Sequence, residues 1–99
     1  MAEKVVVYWR DIPSQVIVKA GRKTAKRQLA ERFEQAIDRA AMRAKLTGTD
    51  AYLEQWRRGE PVPCGDDLEA EASAAAGALE AEFTAERLRE LFANGGVAE

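Results

Sequence analysis

The sequence predicts an α+β fold in which an N-terminal β-hairpin is followed by three or four α-helices that pack on it. Two short runs rich in β-branched and aromatic residues, at 4–10 and 14–19, open the chain and are typical of strands. After residue 27 the chain shows helical periodicity and capping signals. A length of 99 residues, with 46% hydrophobic and 32% charged side chains, fits one domain with a modest core. We therefore treat 1–99 as a single domain, composed of a segment at 1–58 with the hairpin and first helices and an acidic Ala/Glu-rich helical segment at 66–96.

The two predicted strands are joined by Asp11-Ile12-Pro13, whose Asp and Pro favour a turn. This separation is too short for a parallel crossover, so the pair should form an antiparallel hairpin. Apolar side chains fall on both faces of each strand: Val5, Val7 and Trp9 oppose Val6 and Tyr8, and Val16 and Val18 oppose Ile17. Because an isolated hairpin is marginal in water and has two open edges, we expect both faces and an edge to be covered.

Residues 21–28 (GRKTAKRQ) are interpreted as a basic connector to the first helix. Apolar residues at helical spacing, beginning with Leu29 and Phe33, predict that this helix ends near residue 45 or 46. Thr47-Gly48 should interrupt it, with Thr49 as the N-cap of a short helix over 50–57 and Gly59 as its C-cap.

Two prolines within residues 60–65 predict an extended linker. Asp66 and Glu69 resemble a capping box for a third helix over about 67–82. Thr84 is the expected N-cap of a last helix, which should stop at Asn94-Gly95-Gly96 and leave 97–99 frayed.

The expected location is cytoplasmic and bacterial in type, without membrane association. No apolar run approaches the roughly 18 residues that a membrane span needs. The first residues do not have the layout of a signal peptide, and a single cysteine excludes an internal disulfide.

The net charge of −2 conceals a strong asymmetry. Residues 1–58 hold 13 Lys/Arg against 7 Asp/Glu, a net of +6, whereas residues 59–99 hold 2 against 10, a net of −8. Halves of opposite sign can attract each other within one fold or between two copies, or each can face a different partner.

Catalysis has little support in this sequence. There is no histidine, so Ser-His and Cys-His pairs are impossible and the commonest metal ligand is missing. A cluster of Asp66, Asp67, Glu69 and Glu71 could attract Mg²⁺ or Ca²⁺, but charge complementarity with a helix N-terminus explains it better. We therefore predict no metal site, no cofactor and no enzymatic activity.

Cys64 is the residue whose position most suggests reactivity. It lies next to a predicted helix N-terminus, where free N–H groups and the helix dipole can lower the pKa of a thiol. Neighbouring acidic residues oppose thiolate formation, and no general base is apparent. An incidental loop thiol is the simpler interpretation, and a reactive thiol is the alternative.

A basic stretch is the strongest interaction signal. Five cations with no acid among them fall within nine residues: Lys19, Arg22, Lys23, Lys26 and Arg27. Arg32, Arg39 and Arg43 extend this patch if they share one side of the first helix. The charge fits an acidic protein partner. An alternative partner is single-stranded RNA stacked on Tyr8 and Trp9, although the signatures of common RNA-binding modules are missing. The third interpretation is a patch that is merely solvated and binds nothing.

Three segments, VVVYWRDIPSQVIV, RQLAERFEQAIDRAAMRA and TDAYLEQWRR, together resemble the small bacterial virulence factor domain family. The resemblance covers about residues 3–58 and leaves the Ala/Glu-rich segment outside it. Similar segments stand alone in proteobacteria and form part of the longer conserved virulence factor C proteins of Gram-positive bacteria. The family name records a phenotype, so it implies no reaction and no catalytic residue. The resemblance to the family implies one hypothesis worth testing, namely that the protein is an accessory subunit of a folate- and corrinoid-dependent one-carbon enzyme system.

The function that the sequence favours is a non-catalytic interaction module, either a homodimer or an accessory subunit. Another chain would complete its hairpin edge or face by strand addition, while the basic residues steer an acidic partner. The residues expected at this contact are Val6, Tyr8, Ile17, Lys19, Arg22, Lys23, Lys26 and Arg27. An RNA-binding regulator that uses the same basic stretch is the second hypothesis. A small enzyme that uses Cys64 or a carboxylate is the third.

Overall fold

An antiparallel sheet starts at the N-terminus, and helices cover one of its faces. The computed structural model describes residues 2–46 and 50–97. Their elements, in chain order, are β1 (Ala2–Trp9), β2 (Ile12–Ala20), β3 (Lys23–Gln28), α1 (Glu31–Arg43), α2 (Asp50–Glu54), β4 (Trp56–Arg58), β5 (Val62–Cys64), α3 (Leu68–Glu82) and α4 (Ala85–Ala93). The predicted α+β class with N-terminal strands is confirmed. Thr47, Gly48 and Thr49, expected to end one helix and cap the next, lie outside the described residues.

The strand order is β3-β2-β1-β4, and β5 pairs with β1 beside β4. β1 and β2 form the predicted hairpin, with Val5 opposite Ile17. Both outer edges of this hairpin are paired within the chain. β3 pairs with β2, β4 pairs with residues 7–9 of β1, and β5 pairs with residues 2–4 of β1. The edges that an isolated hairpin would leave open are therefore covered by other strands of the same chain, where a second chain was expected at a hairpin edge or face.

Two segments predicted to be irregular are strands. Most of the basic connector forms β3, because Gly21 turns the chain with a φ of 61° and Ala25 then faces the core. Part of the proline linker forms β5 at the outside of the sheet, where a missing N–H is tolerated. The short helix predicted over 50–57 ends at Glu54, since Trp56–Arg58 pair with β1 instead.

The helices pack on the face of the sheet that carries Val16 and Val18. Both residues are 0% exposed and belong to the buried cluster that includes side chains from α1, α3 and α4. Val5, Val7 and Ile17 alternate with the core-facing residues, and so lie on the opposite face, which we name the open face. The helices in the described part of the chain thus cover one face of the hairpin. On the other face Ile17 is still only 4% exposed, and Val5 and Val7 are half-buried.

Trp9 lies at the centre of the core. The strand pattern places it on the same face as Val5 and Val7, but the register shifts between Val7 and Tyr8, and Trp9 joins the buried cluster. Its Nε1 donates to the carbonyl oxygen of Tyr52 at 3.0 Å, and the two ring centroids are 5.5 Å apart. The indole therefore connects the hairpin to α2.

The helix caps largely follow the sequence signals. Thr84 caps α4 as predicted, because its Oγ1 accepts from the N–H of Arg87 at 3.2 Å. The N-cap of α3 is Asp67 rather than Asp66, and its Oδ1 accepts from the N–H of Ala70 at 3.2 Å. The one-residue difference leaves the same type of cap at this helix start.

The acidic C-terminal segment folds back over the N-terminal half. α3 lies across β2 and β3 and buries Ala72 and Ala76, while α4 packs along α1 through Leu88 and Leu91. Small side chains let α3 come close to the sheet, so an alanine-rich helix still closes the core. None of the helices in the described part of the chain is long and apolar enough to span a bilayer.

We expect Gly96→Ala to destabilise the domain and Gly77→Ala to stabilise it. Gly96 has a φ of 91°, and an added Cβ would lie 2.9 Å from Cζ3 of Trp9. Strain plus overlap should lower the free energy of unfolding by about 2–4 kcal/mol. Gly77 lies within α3, and nothing lies within 4 Å of an added Cβ. Alanine at this position should therefore raise the free energy of unfolding by about 0.5–1 kcal/mol.

Urea unfolding followed by circular dichroism measures both changes. An unfolding midpoint for Gly96→Ala at or above that of the unmodified protein would contradict the packing described around Trp9.

Candidate protein-interaction surface

The outer side of β3 is a free sheet edge within the described part of the chain. The N–H of Leu29 donates to the carbonyl oxygen of Ser14 at 3.1 Å, which continues the β2–β3 register. Because bonded pairs alternate along an antiparallel ladder, the N–H and C=O groups of Thr24, Lys26 and Gln28 point away from β2. These three residues present the backbone groups to which a further strand could bind.

The predicted basic patch is divided by the plane of the sheet. Lys19 and Lys26 lie on the open face, next to Ile17. Lys23 and Arg27 lie on the helix side of β3, where Nη2 of Arg27 donates to Oγ of Ser73 in α3. Arg22 is exposed in the turn before β3. All five predicted cations therefore lie at the β3 end of the sheet, distributed over both of its faces.

A shallow groove separates β3 from α3. Its lining includes Arg27 and Gln28 on the strand side and Ser73, Gly77 and Glu80 on the helix side. The carboxylate of Glu80 accepts from the backbone N–H of Ala30 at 2.9 Å, which fixes the acid at one end of this groove. Small residues on α3 thus leave space directly beside the free edge.

The predicted contact residues of β1 lie elsewhere. Val6 is half-buried against the core, and its carbonyl oxygen accepts from the N–H of Gly59 at 2.8 Å. The ring of Tyr8 lies 4.6 Å from the guanidinium carbon of Arg57 in β4. Ile17 is only 4% exposed. The three apolar residues expected at the contact therefore support the fold, while the five basic residues remain at the surface near β3.

The three arginines of α1 do not extend the basic patch. Arg32 donates through Nη2 to the carbonyl oxygen of Glu80 at 2.8 Å, and Arg43 donates through Nε to that of Ala93 at 3.3 Å. The guanidinium carbon of Arg39 lies 5.5 Å from the ring centroid of Phe92. Arg39 and Arg43 therefore border α4, and Arg32 bonds to the last turn of α3. These positions depend on tertiary packing and have no local sequence signal.

Cys64 lies in β5, opposite Ala2, and is partly exposed. Burial of the thiol raises its pKa above the ordinary value. The carboxylates of Glu71, Asp66 and Glu3 raise the pKa further, while Lys4 opposes them. This environment favours the protonated thiol, which is the less nucleophilic form.

The acidic cluster at the start of α3 also has a structural explanation. Asp67 caps the helix, and the side chain of Glu71 lies over Gly65, where an added Cβ would be 2.9 Å from its Oε2. Within residues 2–46 and 50–97, no group of three or more His, Cys, Asp or Glu side chains could hold a metal ion.

These features define a small α+β domain with a basic sheet edge that is unpaired in the described structure. The model of the virulence factor family matches residues 7–92, and the chain therefore belongs to that family. The match runs through α3 and α4, so the Ala/Glu-rich helices are part of the family domain, beyond the 3–58 segment that carried the resemblance. No curated protein and no solved structure matches the chain.

We expect the thiol of Cys64 to react with N-ethylmaleimide more slowly at pH 8 than the thiol of N-acetylcysteine amide, which has no charged group of its own. Because the pKa of Cys64 is raised, its rate of alkylation should reach half of its maximum at a higher pH than the rate for N-acetylcysteine amide does. Glu71→Gln removes one of the charges that raise the pKa and should shift this midpoint downward.

Glu69→Gln is the matched control, since it removes a carboxylate that does not contribute to the shift. A midpoint for Cys64 below that of N-acetylcysteine amide would support a reactive thiol instead.

Proposed function

We propose that this domain is a non-catalytic protein-interaction module that binds an extended, acidic segment of a partner by adding it as a strand to β3. The observation that supports this function best is that β3, whose outer side is unpaired in the described structure, carries more cations than any other strand of the sheet. The two features on which the sequence-based hypothesis depended, an open strand edge and a basic patch, thus coincide in one element.

The backbone supplies the first part of the binding energy. Thr24, Lys26 and Gln28 direct their N–H and C=O groups outward, so an added strand can pair with all three. Each hydrogen bond of this kind contributes a net of about 0.5–1.5 kcal/mol. Backbone pairing alone therefore gives weak, sequence-independent binding, and side chains must provide selectivity.

The basic side chains provide that selectivity. Side chains of an added strand would alternate between the two faces of the sheet. Those on the open face would come near Lys19 and Lys26, and those on the other face would come near Lys23 and Arg27. An acidic segment therefore meets cations on both sides, whereas a basic one is repelled.

The groove between β3 and α3 can accommodate one set of side chains of an added strand. It has Ser73 and Gly77 on the helix side, so a strand added to β3 has room for side chains directed toward α3. An incoming carboxylate would also have access to Arg27, whose guanidinium is exposed at this groove.

Pairing of β3 with the β3 of a second copy is less favourable. Antiparallel pairing of two such strands brings lysines and arginines of one copy opposite those of the other, and like charges directly across a sheet destabilise it. The charge of the edge therefore favours a different, acidic chain over a homodimer.

The RNA alternative has less support. Trp9 is fully buried, and Tyr8 lies against Arg57 at the β4 side of the sheet. The basic strand has no aromatic residue of its own on which a base could stack.

The setting we propose is that of an accessory subunit in the bacterial cytoplasm. The family resemblance supports a search for its partner among folate- and corrinoid-dependent one-carbon enzymes, where an acidic extended segment is the feature to look for.

We expect the domain to bind a fluorescein-labelled eight-residue peptide of alternating Glu and Val, measured by fluorescence anisotropy. Lys26→Pro removes an outward N–H together with the charge and should weaken binding at least tenfold, while Lys26→Gln keeps the N–H and should weaken it less. Lys19→Glu combined with Lys26→Glu should also weaken binding at least tenfold.

Arg58→Glu is the matched control, because it reverses a charge on the exposed strand β4 at the other side of the sheet. The affinity of this variant for the Glu/Val peptide should stay within twofold of the affinity of the unmodified protein. Unchanged binding by Lys26→Pro, with its fold intact by circular dichroism, would contradict strand addition. Tighter binding of a ten-residue oligouridine at physiological salt would support the RNA-binding hypothesis in its place.

A further inference from the structure

A second surface, distinct from the edge of the sheet, lies between α1 and α4. The two helices run side by side in the same direction, since Arg32 borders the groove together with Ala85 while Arg43 bonds to the carbonyl of Ala93. Two adjoining depressions share Arg39 and Phe92 and form one continuous groove along the pair.

The floor of this groove is apolar. Ala36 and Leu88 close its base, and Phe92 is only partly buried beside them. At its far end Met42 is 62% exposed, which is high for a large apolar side chain in a small domain.

The rim of the groove is cationic. Arg39 on α1 and Arg89 on α4 are both exposed and both border it. The ion pairs formed within the described residues are Arg57–Asp11 and Arg87–Glu82, so neither rim arginine is neutralised by one. The groove therefore offers positive charge beside apolar surface.

The length of the groove indicates the kind of ligand. Its α1 side runs along one stripe of the helix from Arg32 through Gln35 and Arg39 to Met42 and Arg43. The eleven residue-to-residue steps from Arg32 to Arg43 correspond to about 16 Å, or three turns of helix. A small anion would occupy one end of such a stripe, whereas a helix of three or four turns would fill it.

We propose that the groove between α1 and α4 binds an acidic amphipathic helix of a partner protein. Leucine-like side chains on one face of that helix would contact Phe92 and Met42, and its carboxylates would meet Arg39 and Arg89. This site is separate from the β3 edge and stands whether or not strand addition occurs there.

The test uses an 18-residue fluorescein-labelled peptide with Leu at helical i, i+3, i+4 and i+7 spacing and Glu and Gln elsewhere. The full chain should bind it, and Arg39→Glu combined with Arg89→Glu should weaken binding at least tenfold. Lys19→Glu combined with Lys26→Glu is the matched control on the sheet and should stay within twofold. If the double glutamate variant loses its helical circular dichroism, Arg39→Gln with Arg89→Gln replaces it and should weaken binding at least threefold.

Several results would overturn the proposal. These are absence of binding by the unmodified chain, equal binding of a peptide with Lys in place of Glu, and equal binding by the rim variants. Displacement of the peptide by millimolar inorganic phosphate would instead indicate a small-anion site. Sedimentation that shows a dimer abolished by the rim variants would instead identify a second copy of this chain as the occupant.

Discussion

The burial of the Trp9 indole is the constraint on which the rest of the structure depends. The side chain lies at the end of β1, yet its partners come from the middle and the end of the chain: the carbonyl oxygen of Tyr52 accepts its N–H, and Gly96 packs against its ring. A ring of this size can be enclosed only when α1, α2 and the residues after α4 are all in place. The hairpin, the helices and the C-terminal turn are therefore parts of one cooperative core.

This core also determines which strands lie at the two edges of the sheet. Tyr52 is held against Trp9, and the chain that follows it pairs as β4 along β1, while the N–H of Gly59 bonds to Val6 and leads on to β5. The short strands β4 and β5 thus pair with the outer side of β1, which has the most apolar sequence of the strands. At the other end of the sheet the outer side of β3 is unpaired in the described structure, and its lysines and arginine disfavour pairing with the β3 of a second copy. The apolar strand β1 is thus paired on both sides, and strands that carry exposed cations lie at the two ends of the sheet.

The parts of the fold with a strong local signal could be predicted from the sequence, and those that depend on tertiary packing could not. The β-branched hairpin and the Thr84 cap have such signals. β3 does not, because among its six residues only Ala25 is buried, so its pattern resembles a polar connector. The position of Trp9 in the core could not be predicted, because the alternation of apolar residues in the sequence does not reveal a shift in strand register. For the candidate site, the sequence indicates a cluster of basic residues, but their division between two faces follows from strand pairing. The positions of Arg39 and Arg43 could not be predicted, because α4, which they border, is distant in sequence.

The contacts of the β1–β2 turn have a consequence for how the protein is made. Nη1 of Arg10 donates to the carbonyl of Gly95 at 3.0 Å, and the N–H of Asp11 donates to that of Gly96 at 2.9 Å, across 85 residues of sequence. A ribosome would have to extrude residues 95 and 96 before this turn could reach its final environment. The hairpin would lack these contacts until the residues after α4 had emerged, so a chaperone would matter most to this domain during that interval.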